Sequence, residues 1–166
     1  MIALFHELVS LGVISGYKFI STSQSDRYDS CFRTVYDGRQ EYAYSSAGNV
    51  LGVGPAHIGV KESMPSVLEY KFDLDGLIAD FDKEVKFDSE IQLVVCWKIG
   101  HNYEEKYRIS SLIVGDEGSS RQFFGSTHVL SYERQKKFEI ICLKDLIEWY
   151  RNPDTLLGEH KTRFHS

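Results

Sequence analysis

Apolar residues at Leu4, Phe5, Leu8, Leu11 and Val13 recur at helical spacing in "ALFHELVSLGVISG", predicting an amphipathic helix that ends near Gly12 or Gly16. The next stretch, "YKFISTSQSDRYD", turns extended and polar. "CFRTVYDGRQEYAY" sets Asp37-Gly38 between two runs of alternating aromatic and polar residues, which predicts a hairpin. "SSAGNVLGVGPAHIGVKES" is glycine-rich and irregular, either a loop over a site or a flexible connection. "SVLEYKF" reads as a strand, and "DLDGLIADFDKEV" as a short helix with Asp73 as N-cap and Leu74, Leu77, Ile78 and Phe81 on one face. "IQLVVCWKI" is a buried strand by its continuous β-branched run. "YRISSLIVG", "THVLSY" and "FEIICL" are further strands, and "LKDLIEWYRN" is a helix stopped by Pro153. The expected architecture is an α/β domain over residues 1–153, with a mixed central sheet flanked by helices and a frayed tail over 154–166.

With 166 residues the chain is long enough for one domain with a real core. Its net charge of −5 does not advertise a nucleic-acid binder, although a local basic face can coexist with an acidic average. The three cysteines, Cys31, Cys96 and Cys142, include no CxxC pair, which argues against a disulfide framework and a zinc site. The start lacks a basic n-region and no apolar run is long enough to span a bilayer, so a reducing, cytoplasmic setting without membrane contact is expected.

The candidate chemistry lies in Glu69-Tyr70-Lys71. On a strand, residues i and i+2 share a face, so this carboxylate and this ammonium stand side by side. Metal-dependent phosphodiester cleavage uses converging carboxylates to hold Mg²⁺ or Mn²⁺, with a lysine to orient the attacking water and steady developing charge. The plain alternative is a surface ion pair. Asp29 lies forty positions upstream at the start of the aromatic hairpin, and Glu7 lies on the first helix. By themselves, Asp29 reads as a turn residue and Glu7 as a solvent-facing one. No P-loop, GxGxxG turn or GxSxG elbow is present.

The order helix Glu, hairpin Asp, strand Glu-x-Lys, helix, strand resembles the PD-(D/E)XK nuclease superfamily, the restriction-endonuclease-like fold, from about Met1 to Trp97. "RYD", "LEYKFDLDGLIADFD", "IQLVVCW", "GSTHVL" and "FEIICLKDLIEWY" are similar to a nuclease-like domain found at the C-terminus of long bacterial chains carrying a GHKL-type ATPase and suspected of defence against foreign DNA. The resemblance implies a DNA endonuclease in which Asp29, Glu69 and Lys71 match the catalytic motif and Glu7 the helix carboxylate. Asp29, Glu69 and Glu7 would then hold Mg²⁺ or Mn²⁺. The proline of the superfamily's name is replaced by Tyr28. DNA is the implied partner, with a GHKL-type ATPase or a second copy in a homodimer as accessory. The alternative is a catalytically inactive module of the same fold that binds DNA or protein.

Basic residues that could face DNA are Lys18, Arg27, Arg33 and Arg39, and later Arg121, Arg134, Lys136 and Lys137. "YERQKK" is the densest cluster, and a solvated hairpin turn explains it equally well. His128 in "GSTH" is expected to tie a loop to the backbone rather than to act in catalysis.

Overall fold

The computed structural model describes residues 1–22, 27–59 and 62–164. Helix α1 (Ile2–Ser10) is followed by β1 (Tyr17–Thr22), β2 (Ser30–Thr34), β3 (Ser66–Asp73), α2 (Leu74–Asp82), β4 (Leu93–Lys98), β5 (Arg108–Ser111), β6 (His128–Tyr132), β7 (Gln135–Cys142), α3 (Leu143–Arg151) and α4 (Pro153–Phe164). The seven strands form one mixed sheet in the order β1-β2-β3-β4-β7-β6-β5. β1, β2 and β3 pair antiparallel, whereas β3-β4 and β4-β7 are parallel. The mixed α/β class expected from the hydrophobic pattern is thus observed.

Alternation along the central strands sorts side chains to two faces. Leu68, Tyr70, Leu93, Val95 and Ile141 join Phe5 of α1 and Leu143 and Leu146 of α3 in one core. Val94, Cys96 and Ile140 join Leu74, Leu77, Ile78 and Phe81 of α2 and Phe164 of α4 in the other. Helix α2 starts where predicted, because the Asp73 carboxylate accepts the N–H of Asp75 at 3.0 Å. Burial raises the Asp73 carboxyl, but the Lys98 ion pair and that N–H outweigh it and leave the group below its usual range.

Two expectations are corrected. Asp37-Gly38 makes no hairpin: β2 ends at Thr34, and its antiparallel partners are β1 and β3. The second aromatic run instead forms a 3₁₀ turn, Gln40–Tyr42, and its Tyr42 ring packs against a small core of Tyr36, Val53 and Phe124. Part of the predicted extended stretch, residues 23–26, lies outside the described residues. The tail is not frayed over residues 153–164. Pro153 opens α4 rather than merely ending α3, a position where its missing N–H costs nothing. Leu156, His160 and Phe164, four residues apart, are buried on one side.

The glycine-rich stretch is pinned at Val50 and Gly52. Arg121 is fully buried and donates to the carbonyls of Val50, Gly52, Leu112 and Ser126 at 2.6–2.7 Å. A Cβ on Gly54 would stand 2.2 Å from the Ser119 carbonyl oxygen, so this close approach requires glycine.

Candidate functional site

Glu69 and Lys71 share the face of β3 that α2 covers. Glu69 is buried, with 1% of its side chain exposed. One carboxylate oxygen, Oε1, is ion-paired with Lys86 and lies 3.8 Å from Lys71 Nζ. The other, Oε2, is buried without a hydrogen-bond partner among the described residues. Burial pushes the Glu69 carboxyl above its usual range; the Lys86 ammonium pulls it down, and nearby Asp29 pushes it up again. Lys71 Nζ donates to Asp80 Oδ2 of α2 at 2.7 Å.

Asp29 immediately precedes β2 and is half-buried. Its Oδ2 accepts the backbone N–H of Tyr70 at 2.8 Å, which fixes this carboxylate beside the Glu69 segment of the neighbouring strand. The fold therefore gathers Asp29, Glu69 and Lys71. It does not bring Glu7 to them. Phe5 turns the buried side of α1 against Tyr70, with ring centroids 5.9 Å apart, on the opposite face of the sheet. Glu7, two residues on, lies roughly 200° round the helix and is exposed. Its neighbour His6 has a role of its own, with Nε2 3.0 Å from the Tyr70 hydroxyl.

Two site residues carried no signal in the sequence. Lys86 lies in the segment after α2, and Asp80 on the flank of that helix beside its apolar stripe. Lys86 is held over the Tyr28 ring at 5.7 Å. Arg27 anchors the same segment, stacking on Phe87 at 4.6 Å and donating to the Val85 carbonyl at 3.1 Å.

The carboxylates of Asp29 and Glu69 are hard oxygen donors of the type that Mg²⁺ and Mn²⁺ take. The partnerless Oε2 fits such an ion, while Lys86 already neutralises the adjacent oxygen.

The expected basic face is largely neutralised. Lys18 and Arg33 both pair with Glu62, Arg39 with Asp37 and Glu41, Arg27 with Glu90, Lys136 with Glu139 and Lys137 with Asp88. Arg121, counted among the basic candidates, is removed from that list by its burial. Glu133 and Arg134 adopt positive φ in the turn between β6 and β7, as a tight hairpin requires.

His128 belongs to β6 rather than to a loop. Its ring is fully buried, and Nδ1 lies 2.8 Å from the Thr127 hydroxyl. Burial, then the neighbouring His160, lowers its pKa to about 3, so the ring is neutral.

No helix among the described residues is long and apolar enough to cross a membrane. Comparison with family models, with curated proteins and with solved structures returned no match, so the site's own geometry carries the functional argument.

Proposed function

We propose that the chain is a metal-dependent DNA endonuclease of the PD-(D/E)XK kind. The observation that carries this reading is the buried Glu69 carboxylate with a partnerless oxygen, set on one strand face with Lys71. The order α1-β1-β2-β3-α2-β4, antiparallel through β3 and parallel between β3 and β4, supports it. Asp29 and Glu69 would hold Mg²⁺ or Mn²⁺. When bound, such an ion activates water and neutralises charge on the phosphoryl oxygens. Lys71, held by Asp80, would orient the attacking water and face the charge that develops on the phosphate. Glu7 would have no direct role. The acidic average and the paired basic residues imply weak affinity for DNA, so recruitment would come from a GHKL-type ATPase partner or from dimerisation.

A second reading, a non-catalytic DNA- or protein-binding module of the same fold, is favoured by Lys86. Its ammonium occupies one Glu69 oxygen and makes a closed ion pair there.

The test is cleavage of plasmid and linear DNA with Mn²⁺ and with Mg²⁺, comparing the wild type with Asp29→Asn and Lys71→Ala. Metal-dependent cutting lost in both variants supports the nuclease. Cutting that persists in both moves the chemistry elsewhere. A wild type that shifts DNA in a gel without cutting it favours the module.

A further inference from the structure

A second polar cluster lies on the same sheet face, outside the nuclease reading and independent of it. Glu69, Val94, Ile140 and His128 are successive register partners across β3, β4, β7 and β6. At the far end of this row, His128 meets Asp145 in the first turn of α3 and His160 of α4. The ligand atoms of the three side chains lie within 4.8 Å of one another. His128 Nε2 is 3.6 Å and His160 Nε2 3.2 Å from Asp145 Oδ2. A tetrahedral ion with bonds of roughly 2.0–2.1 Å holds its ligand atoms about 3.3 Å apart.

We infer that His128, Asp145 and His160 form a binding site for a divalent transition-metal ion of the zinc class, clipping α4 to the sheet.

The proton arrangement favours this. The Thr127 hydroxyl accepts the Cys142 N–H at 3.0 Å and lies 3.2 Å from the Ile140 carbonyl and 2.8 Å from His128 Nδ1. A hydroxyl has one proton. Donated to the carbonyl, it leaves Nδ1–H of His128 to donate to Thr127, so Nε2 bears the bare lone pair. That Nε2 is buried without a hydrogen-bond partner among the described residues and faces a carboxylate, an arrangement a cation relieves. Ser111 Oγ sits 2.8 Å from His160 Nδ1, so a hydroxyl orients each ring from behind. A hydrogen-bond acceptor behind the far nitrogen, here a hydroxyl oxygen for each ring, is the outer-shell arrangement by which ligating histidines are oriented. Two imidazoles and one carboxylate suit zinc better than magnesium or calcium.

The site opens on one side. A cleft of about 90 Å³ reaches Asp145 and His160, rimmed by Lys98, Lys144, Glu159 and Arg163. It has room for a fourth ligand such as water. The absence of a CxxC pair does not bear on such a site, because its ligands come from three separate elements.

The test uses the full chain stripped of metal. Zn²⁺ is titrated by calorimetry, and Co²⁺ by its visible absorption, which is intense only in low-symmetry, near-tetrahedral coordination. We expect one equivalent of either ion at this site, with ring-proton shifts at His128 and His160 when Zn²⁺ is added to the wild type. Asp145→Asn and His160→Gln should abolish the cobalt spectrum. Ser111→Ala should weaken binding roughly 10–100-fold. Circular dichroism checks that each variant is folded, and the ring-proton readout requires no variant. Wild type whose histidine rings do not respond to Zn²⁺ overturns the inference, as does a cobalt spectrum that survives in Asp145→Asn and His160→Gln. Neither result depends on DNA cleavage, so the nuclease reading stands or falls separately.

Discussion

Asp29 reaches across from the start of β2 to accept the backbone N–H of Tyr70, the residue between Glu69 and Lys71, at 2.8 Å. One oxygen of this carboxylate thus serves the fold. Asp29→Ala leaves that N–H without its acceptor and should cost about 1–3 kcal/mol of stability. Asp29→Asn keeps a side-chain oxygen for the bond and should recover most of that stability while cleavage stays lost. Urea unfolding and the DNA assay on both variants separate the two effects.

Lys86 is the partner that makes a buried Glu69 tolerable without metal. Lys86→Met leaves the carboxylate only the more distant Lys71 ammonium, 3.8 Å away, and should destabilise the protein by about 3 kcal/mol. The double variant with Glu69→Leu removes both charges and should regain much of the loss. If the single variant unfolds at the wild-type urea midpoint, the pair has no structural weight.

Asp73 sets the acid limb of stability near α2. Its carboxyl is lowered on folding, because the Lys98 ammonium and the Asp75 N–H overcome the burial that raises it. A depressed carboxyl stabilises the fold above its ordinary unfolded pKa, and this contribution is lost as pH falls through the lower folded value. Asp73→Ala should therefore cost about 1 kcal/mol near neutrality. The gap from wild type should close once the pH drops below the usual carboxylate range. Unfolding midpoints of both proteins across acid pH check this; a gap constant with pH would exclude the linkage.

Arg121 stitches four backbone carbonyls and is fully buried. Burial lowers its pKa to about 10, with buried Glu139 pulling in the opposite direction, so it remains charged at neutral pH. Arg121→Met should destabilise the protein by about 3–5 kcal/mol. Arg121→Lys should rescue little, since a single ammonium cannot reproduce the planar fork. Thermal unfolding of the two variants decides the point.

The elements nearest to Glu69 were legible because each is locally consistent. The apolar run of β3, the Asp73 cap and the Leu74, Leu77, Ile78, Phe81 stripe of α2 all agree. Asp37-Gly38 misled because turn chemistry alone cannot tell which run will find a strand partner. The rings of Tyr36 and Tyr42 gain more by closing their own small core with Val53 and Phe124. Helix α4 was written in the spacing of Leu156, His160 and Phe164, but only two of these three are apolar, and the polar tail around them masked the stripe. Arg121, Lys86 and the His128–Asp145–His160 cluster depend on contacts between distant segments, where neighbouring residues give no sign. Glu7 matched the expected order, yet the orientation of α1, decided by Phe5, turned it away.

The row that links Glu69 to His128 acts as a ruler. Three strand spacings of about 4.8 Å put the two ends roughly 14 Å apart, and the hydrogen-bonded ladder keeps that interval from closing. Ions that jointly clamp one phosphate stand about 3.5–4 Å apart. The carboxylate end and the histidine end therefore cannot serve a single scissile bond. Lesions at one end should leave the chemistry of the other intact, and a protein carrying both lesions should show two separable defects rather than one deeper one.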